Sequence, residues 1–321
     1  MSLGGSSGSS SGPASWTGPG GAALRVRGVV DVPVDDLVPV GDGTRRSVAE
    51  DLRYVYGEDQ PTDWLESGPG RDYPTMIRAA RAALGDRGLL DDVRLVVLVV
   101  TTPDLQHERL LGGFVADLFD DRPYTFCVTE QGLAGPFTAL RLAHEELAHG
   151  GPTGTGLGGD ALVLVLEQCT LPPTATRVPA RDRVVALVVG HGGAGRPVEA
   201  LSVARASRGP RPDAAESPRD GAPASAGESA PAPGARRVVL GVDMDPGDVP
   251  DLDGVVLRAD PGAAATGVWE VLAACDDVSD APVALHERCL ELGYRCSLVL
   301  GPRPVEASPD VDDLSREAVL A

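Results

Sequence analysis

The sequence predicts an α/β fold in which a sheet of apolar strands is covered by helices on both faces. Three observations carry this. Val93–Val100, broken only by Arg94, and Ala161–Leu166 and Val184–Val189 are apolar runs, the pattern of strands buried on both faces. Strand-like segments alternate with segments of helical period. One stretch, Tyr124 to His149, passes from strand to helix through a tight turn.

That stretch organises the rest. Tyr124, Thr125, Phe126, Val128 and Thr129 are β-branched or aromatic and suit a pleated strand. The chain turns at Gln131-Gly132, and Leu133, Phe137, Leu140, Ala143 and Leu147 then recur every three or four residues, a helix face that Gly150-Gly151-Pro152 ends. Several enzyme folds present a nucleophile at such a junction, where free N–H groups and the helix dipole favour negative charge. Here the residue on the junction is Leu133, which is neither nucleophile, acid nor base.

Taken in order, residues 1–21 are nearly all Gly, Ser, Pro and Ala and read as a disordered tail. A strand begins near Leu24, and residues 51–70 show no clear period. Asp72 to Gly88 reads as a helix, with Pro74 in its first turn and Met76, Ile77, Ala80, Ala83 and Leu84 on one face. After the first apolar strand comes a turn, Thr101–Asp104, then a helix face of Leu110, Leu111, Phe114, Val115 and Leu118. Val198–Val203 is expected to pair beside the Val184–Val189 strand. Residues 206–235 shift sharply to Pro, Ala, Gly and Ser, a linker or surface insertion that buries no core. Beyond it, Arg237–Val242, Gly254–Leu257 and Cys296–Leu300 read as strands, and Ala263–Cys275 and Val283–Leu292 as helices. The implied organisation is a folded half over residues 22–205, a shorter one over 236–303, and a polar tail over 304–321.

Composition excludes several classes. The formal charge is −19, and all 28 basic residues are Arg. An acidic surface repels phosphate backbones, so no nucleic-acid partner is expected. Without Lys there is neither Schiff-base chemistry nor a P-loop lysine. Five Cys without C-x-x-C spacing read as reduced thiols of a cytoplasmic protein. No apolar run reaches the 18 residues of a membrane span, and without a basic and an apolar region at the N-terminus no signal peptide is expected.

The motif matches are weak. Gly4 to Gly8 fits G-x-S-x-G but lies in the tail. Gly190 to Gly195 fits G-x-G-x-x-G, yet a strand-like segment follows where a dinucleotide site needs a helix; Gly154 to Gly159 also precedes a strand. His144 and His149 resemble a zinc-protease pair with one residue too many. At about 100° per residue their imidazoles point about 140° apart, so they read as exposed histidines. The aspartates from Asp243 to Asp253 lack the Gly and closing Glu of a calcium loop. His107 and His286 stand alone and read as surface residues, while His191 lies in a Gly-rich turn. No metal or cofactor is expected.

Four strings in this order, A-A-R-A-A-L-G-D-R-G-L from Ala79, L-V-V-L-V-V-T-T-P-D from Leu95, G-L-A-G-P-F-T-A-L from Gly132 and G-D-A-L-V-L-V-L-E from Gly159, resemble the N-terminal half of ketoacyl-synthase III-type enzymes of the thiolase superfamily. The resemblance covers about Leu24 to Ala204. It implies a five-layered α-β-α-β-α sandwich of two similar halves, here with the second half shortened, that is usually dimeric and moves acyl groups between coenzyme A or acyl-carrier protein and an acceptor.

The family's nucleophilic Cys aligns with Leu133; Cys127 lies six residues earlier, inside the strand. The family's His motif has no counterpart between Arg236 and Gly262, and its Asn aligns with Ala263. The resemblance therefore implies a degenerate member in fatty-acid or polyketide-type biosynthesis: an inactive subunit dimerising, as homo- or heterodimer, with a ketoacyl-synthase-like partner. Tyr124, Phe126 and Val128 would be the dimer strand, and Gln131, Gly132, Leu133, Ala134 and Gly135 the pocket junction. Two alternatives stand beside it. One is an acyltransferase or hydrolase using Glu130 or His191 as base. The other is a module that holds acyl-CoA or acyl-carrier protein without reacting.

Overall fold

The structure is a computed structural model; it describes residues 21–304 except 58, 60, 68–69, 102–103, 106–109, 121, 150–155, 172–176, 206–234 and 250–251. The expectations for both tails, most of the linker, His107, much of the Thr101–Asp104 turn and the first two residues of the Gly154 to Gly159 loop lie outside the described residues.

Ten strands form one mixed sheet in the order β3-β2-β4-β5-β1-β6-β10-β9-β7-β8. They are β1 (Leu24–Val32), β2 (Val93–Val100), β3 (Tyr124–Thr129), β4 (Asp160–Glu167), β5 (Arg183–His191), β6 (Arg196–Arg205), β7 (Arg237–Leu240), β8 (Val255–Arg258), β9 (Val283–Cys289) and β10 (Tyr294–Leu300). The order is internally repeated. In the first half β2 runs parallel to β3 and β4, and β4, β5 and β1 follow antiparallel. In the second half β7 runs parallel to β8 and β9, and β9, β10 and β6 follow antiparallel. The halves join where Arg25 and Val26 of β1 pair with Pro197 and Arg196 of β6.

Helices α1 (Asp42–Tyr56), α2 (Asp63–Ser67), α3 (Tyr73–Gly85), α4 (Leu111–Leu118), α5 (Gly135–His149) and α6 (Gly267–Val278) connect the strands. α5 and α6 hold equivalent places, each leading from the third strand of its half to the fourth. They form the middle layer: α5 packs on β2, β4, β5, β6 and β10, and α6 on β1, β7, β8 and β9. One apolar cluster unites residues of both helices and both half-sheets, including Phe137, Leu140, Val163, Leu187, Trp269, Leu285 and Leu298. A second cluster seats α3 and α4 on the outer face of the first half through Met76, Ile77, Leu84, Val96 and Val115. These layers, in the order helix, sheet, helix, sheet, bear out the sandwich expected of the sequence. Among the described residues the fifth layer is small: the 3-10 turn Pro246–Asp248 and a cluster of Val238, Leu240, Met244 and Val249. The outward residues of β6 and β10 explain how little cover they need, since Ala200, Ser202, Ala204 and Arg295 are exposed and Ser297 is half-buried.

Local sequence explains most elements. Asp72 caps α3 by accepting the Thr75 N–H at 2.6 Å, and Pro74 sits where its missing N–H costs nothing. β4 and β5 are apolar because both faces are covered.

The structure corrects several expectations. Val283–Leu292 is not a helix. Its Val283, Leu285 and Cys289 alternate into the core, and β9 is paired on both sides by β7 and β10, which overrides the helical spacing. β6 pairs with β1 and β10, not with β5, because β1 lies between them. The unplaced stretch 51–70 holds the end of α1 and all of α2; α1 buries only Val48 and Ala49, too narrow a face to read as periodic.

Candidate functional site

The junction after β3 is built as the sequence anticipates. Glu130 and Gly132 take positive φ, +57° and +49°, which turns the chain sharply. Gly132–Ala134 form one turn of 3-10 helix before α5 begins at Gly135. The turn packs on β9 and β10 of the other half. Both glycines answer to close approach. A Cβ at Gly132 would lie 3.0 Å from the Cys289 Sγ, and one at Gly135 would lie 2.8 Å from a methyl of Val99. The Leu133 side chain, 5% exposed, is part of the central core. Ala134 is fully buried, and Gln131 is half-buried beside it. The start of this helix thus holds a packed aliphatic side chain.

Sequence reasoning missed a group at the equivalent place in the second half. Glu167, the last residue of β4, is fully buried and projects to the approach of α6. It accepts the N–H groups of Thr266 and Ala264 at 2.6 and 3.2 Å. The Thr266 hydroxyl lies 3.0 Å from Glu167 and 2.8 Å from Glu270, and Glu270 in turn pairs with Arg183. Burial raises the Glu167 pKa, the three hydrogen bonds oppose that shift, and nearby Glu270 adds to it. The single hydroxyl proton of Thr266 serves one of these two carboxyls at a time. The backbone donors ahead of α6 are therefore taken by the chain's own carboxyl. The signal was a Glu ending an otherwise apolar strand.

A second buried carboxyl was missed as well. Glu287 on β9 is 2% exposed and lies over Gly241, where any Cβ would collide with it. It accepts the Arg288 N–H at 2.9 Å. Burial pushes its pKa up to about 8, with Asp243 and Glu167 adding negative charge nearby. Its cross-strand neighbour Cys296 is pushed up to about 12, first by burial and then by Glu287 and Cys289. Burial therefore keeps the Cys296 sulfur a thiol at neutral pH.

The predicted bases lie apart. Glu130 is exposed on the turn. His191 ends β5, and its Nε2 is 3.2 Å from Nδ1 of His144. His144 is 5% exposed, which corrects its reading as a surface residue: it faces the sheet, while His149 points to solvent. Nine residues separate His144 from Gly135, about 14 Å along the helix, so His191 and Glu130 do not share one pocket. His286 is half-buried on β9 rather than on the surface. Among the described residues no His, Cys, Asp or Glu group is placed to hold a metal. The acidic loop is tied to arginines instead, Asp243 to Arg177 at 2.7 Å and Asp248 to Arg288 and Arg295 at 3.4 Å each. Gly190–Gly195 leads into β6, not into a helix.

β3 is the first strand of the sheet, and its free edge has no neighbour among the described residues. Tyr124 is 52% and Phe126 37% exposed, Cys127 is exposed, and Val128 packs partly on the core.

No protein-family model matches the chain, and no curated protein matches it. Solved structures do. It is similar to the priming β-ketosynthase of the R1128 polyketide pathway (15% identity, 88% of this chain and 98% of that one, TM-score 0.53). It is similar to the acyltransferase ChlB3 (14%, 88% and 99%, TM-score 0.52) and to AbyA1, a tetronic acid condensing enzyme (13%, 87% and 99%, TM-score 0.52). The internal repeat, the paired central helices and this coverage show that the chain has the thiolase-like fold of these structures.

Proposed function

We propose that this chain is a catalytically silent subunit of the ketoacyl-synthase III type. In this reading it pairs through β3 with an active condensing or acyl-transferring homologue in fatty-acid or polyketide-type biosynthesis. The observation that carries the reading is Leu133. It fills the helix-start position with buried hydrocarbon, and the sulfur that faces this turn, Cys289, is itself buried. The carboxyl of Glu167 on the donors before α6 supports the same conclusion, because an acyl oxyanion needs such donors unoccupied. An exposed edge strand bearing Tyr124 and Phe126 supports association, since an open edge invites pairing with another chain.

A homodimer uses the same edge, and acyl-CoA or acyl-carrier protein would be bound by the active partner. A cytoplasmic place is in keeping with five free cysteines. No helix among the described residues is long and apolar enough to cross a membrane.

The test is co-expression with candidate active synthases and affinity capture. The proposal predicts a stoichiometric complex with one of them, whose condensing or acyl-transfer rate changes when this chain is omitted. Capture of self-associated chains alone across the candidates overturns the silent-partner reading.

A further inference from the structure

We propose that a cavity at the N-terminal ends of β2 and β3 binds a small organic anion, a carboxylate or phosphate carried on an apolar body. The inference does not depend on the subunit reading. The cavity measures about 270 Å³. Its floor is apolar: Val93 and Phe119 are 6% and 9% exposed, and Pro123 is buried. Its rim is charged, with the exposed guanidinium groups of Arg81, Arg94 and Arg122 interrupted by Asp91 and Asp120. Leu133 lies beyond the opposite end of β3, a strand of six residues or about 20 Å, so this site is separate from the junction.

Three features favour an anion here on a chain whose formal charge is −19. The Arg81 guanidinium carbon stands 5.8 Å from the Phe119 ring centroid and has no ion pair among the described residues. Among the described residues Arg94 and Arg122 are held only by exposed carboxylates, Asp92 at 3.0 Å and Asp120 at 3.4 Å. Exposed pairs of this kind contribute little, so an incoming anion displaces them readily. A planar fork of donors matches both carboxylate and phosphate. The floor decides between a bare ion and a larger ligand. Val93, Phe119 and Pro123 offer nothing to a hydrated phosphate, but they remove an alkyl or aromatic body from water.

The test is calorimetric titration of the whole protein with octanoate, inorganic phosphate and 1-octanol. The proposal predicts saturable octanoate binding, weaker binding of phosphate and of octanol, at least about a tenfold loss with Arg81→Gln, and tighter binding with Asp91→Asn. Both substitutions are at exposed positions, and the gain with Asp91→Asn is one that misfolding cannot imitate. Phosphate binding as tightly as octanoate refutes the apolar body. Octanoate that does not saturate, that binds no better than octanol, or that ignores Arg81→Gln overturns the site.

Discussion

The Phe137 ring lies 4.9 Å from that of Trp269, centroid to centroid, with the planes tilted by 55°. Phe137 stands on α5 and Trp269 on α6, and both side chains are fully buried. This contact between equivalent helices of the two halves makes one core of them. Trp269→Ala is expected to cost about 3–5 kcal/mol. Both halves should unfold together, giving a single transition in urea by fluorescence and by circular dichroism. Two separate transitions in the wild-type chain would contradict the shared core.

Glu287 makes stability depend on pH in an unusual direction. Its folded pKa of about 8 lies above the ordinary 4.5, so the native state holds a proton that the unfolded chain releases. Stability therefore falls as pH rises from about 4.5 to 8, because the native state binds more protons over that window. Glu287→Gln mimics the protonated acid. It should raise the melting temperature at pH 8 relative to wild type and change it little at pH 5. Equal effects at both pH values would show that the carboxyl is already ionised in the fold.

The His144–His191 pair acts in the opposite sense. Burial lowers both pKa values; His144 adds to the shift of His191, and His149 to both. The unfolded imidazoles take up protons near pH 6.5 while the native ones resist. The native state is thus penalised as pH falls below about 6.5, and stability rises with pH through that window. His191→Gln should flatten this part of the melting profile, measured between the ordinary imidazole range and mild acid.

The β3 edge should tolerate charge as a monomer and fail as an interface. Phe126→Asp is expected to change unfolding free energy by about 0.5 kcal/mol or less, as for most surface substitutions. It should also abolish co-elution with the partner, read by size-exclusion chromatography with light scattering. Retained association would place the interface elsewhere.

Much of this was legible in the sequence, for physical reasons that differ by element. β2, β4 and β5 are apolar on both faces because helices cover both, so their runs stand out. α5 announces itself through Phe137, Leu140, Ala143 and Leu147, every one of them buried. β9 was misread because Val283, His286 and Leu290 mimic helical spacing, and only its pairing partners decide otherwise. α1 hid behind a polar surface. At the site, Leu133 was found through the change from strand to helix period at Gln131-Gly132. Glu167 and Glu287 were not, because their roles arise from contacts about 100 and 46 residues away along the chain, with Thr266 and Gly241. A local pattern holds no trace of such contacts.

Leu133 in place of a nucleophile is the centre of the account, and intact-protein mass spectrometry tests it most directly. The chain would be incubated with acetyl-, malonyl- and longer acyl-CoA, alone and together with an active homologue. The account predicts an unchanged mass for this chain in every mixture, with acylation confined to the homologue. A stable acyl adduct on the isolated chain would contradict it and reveal a working nucleophile elsewhere in the fold.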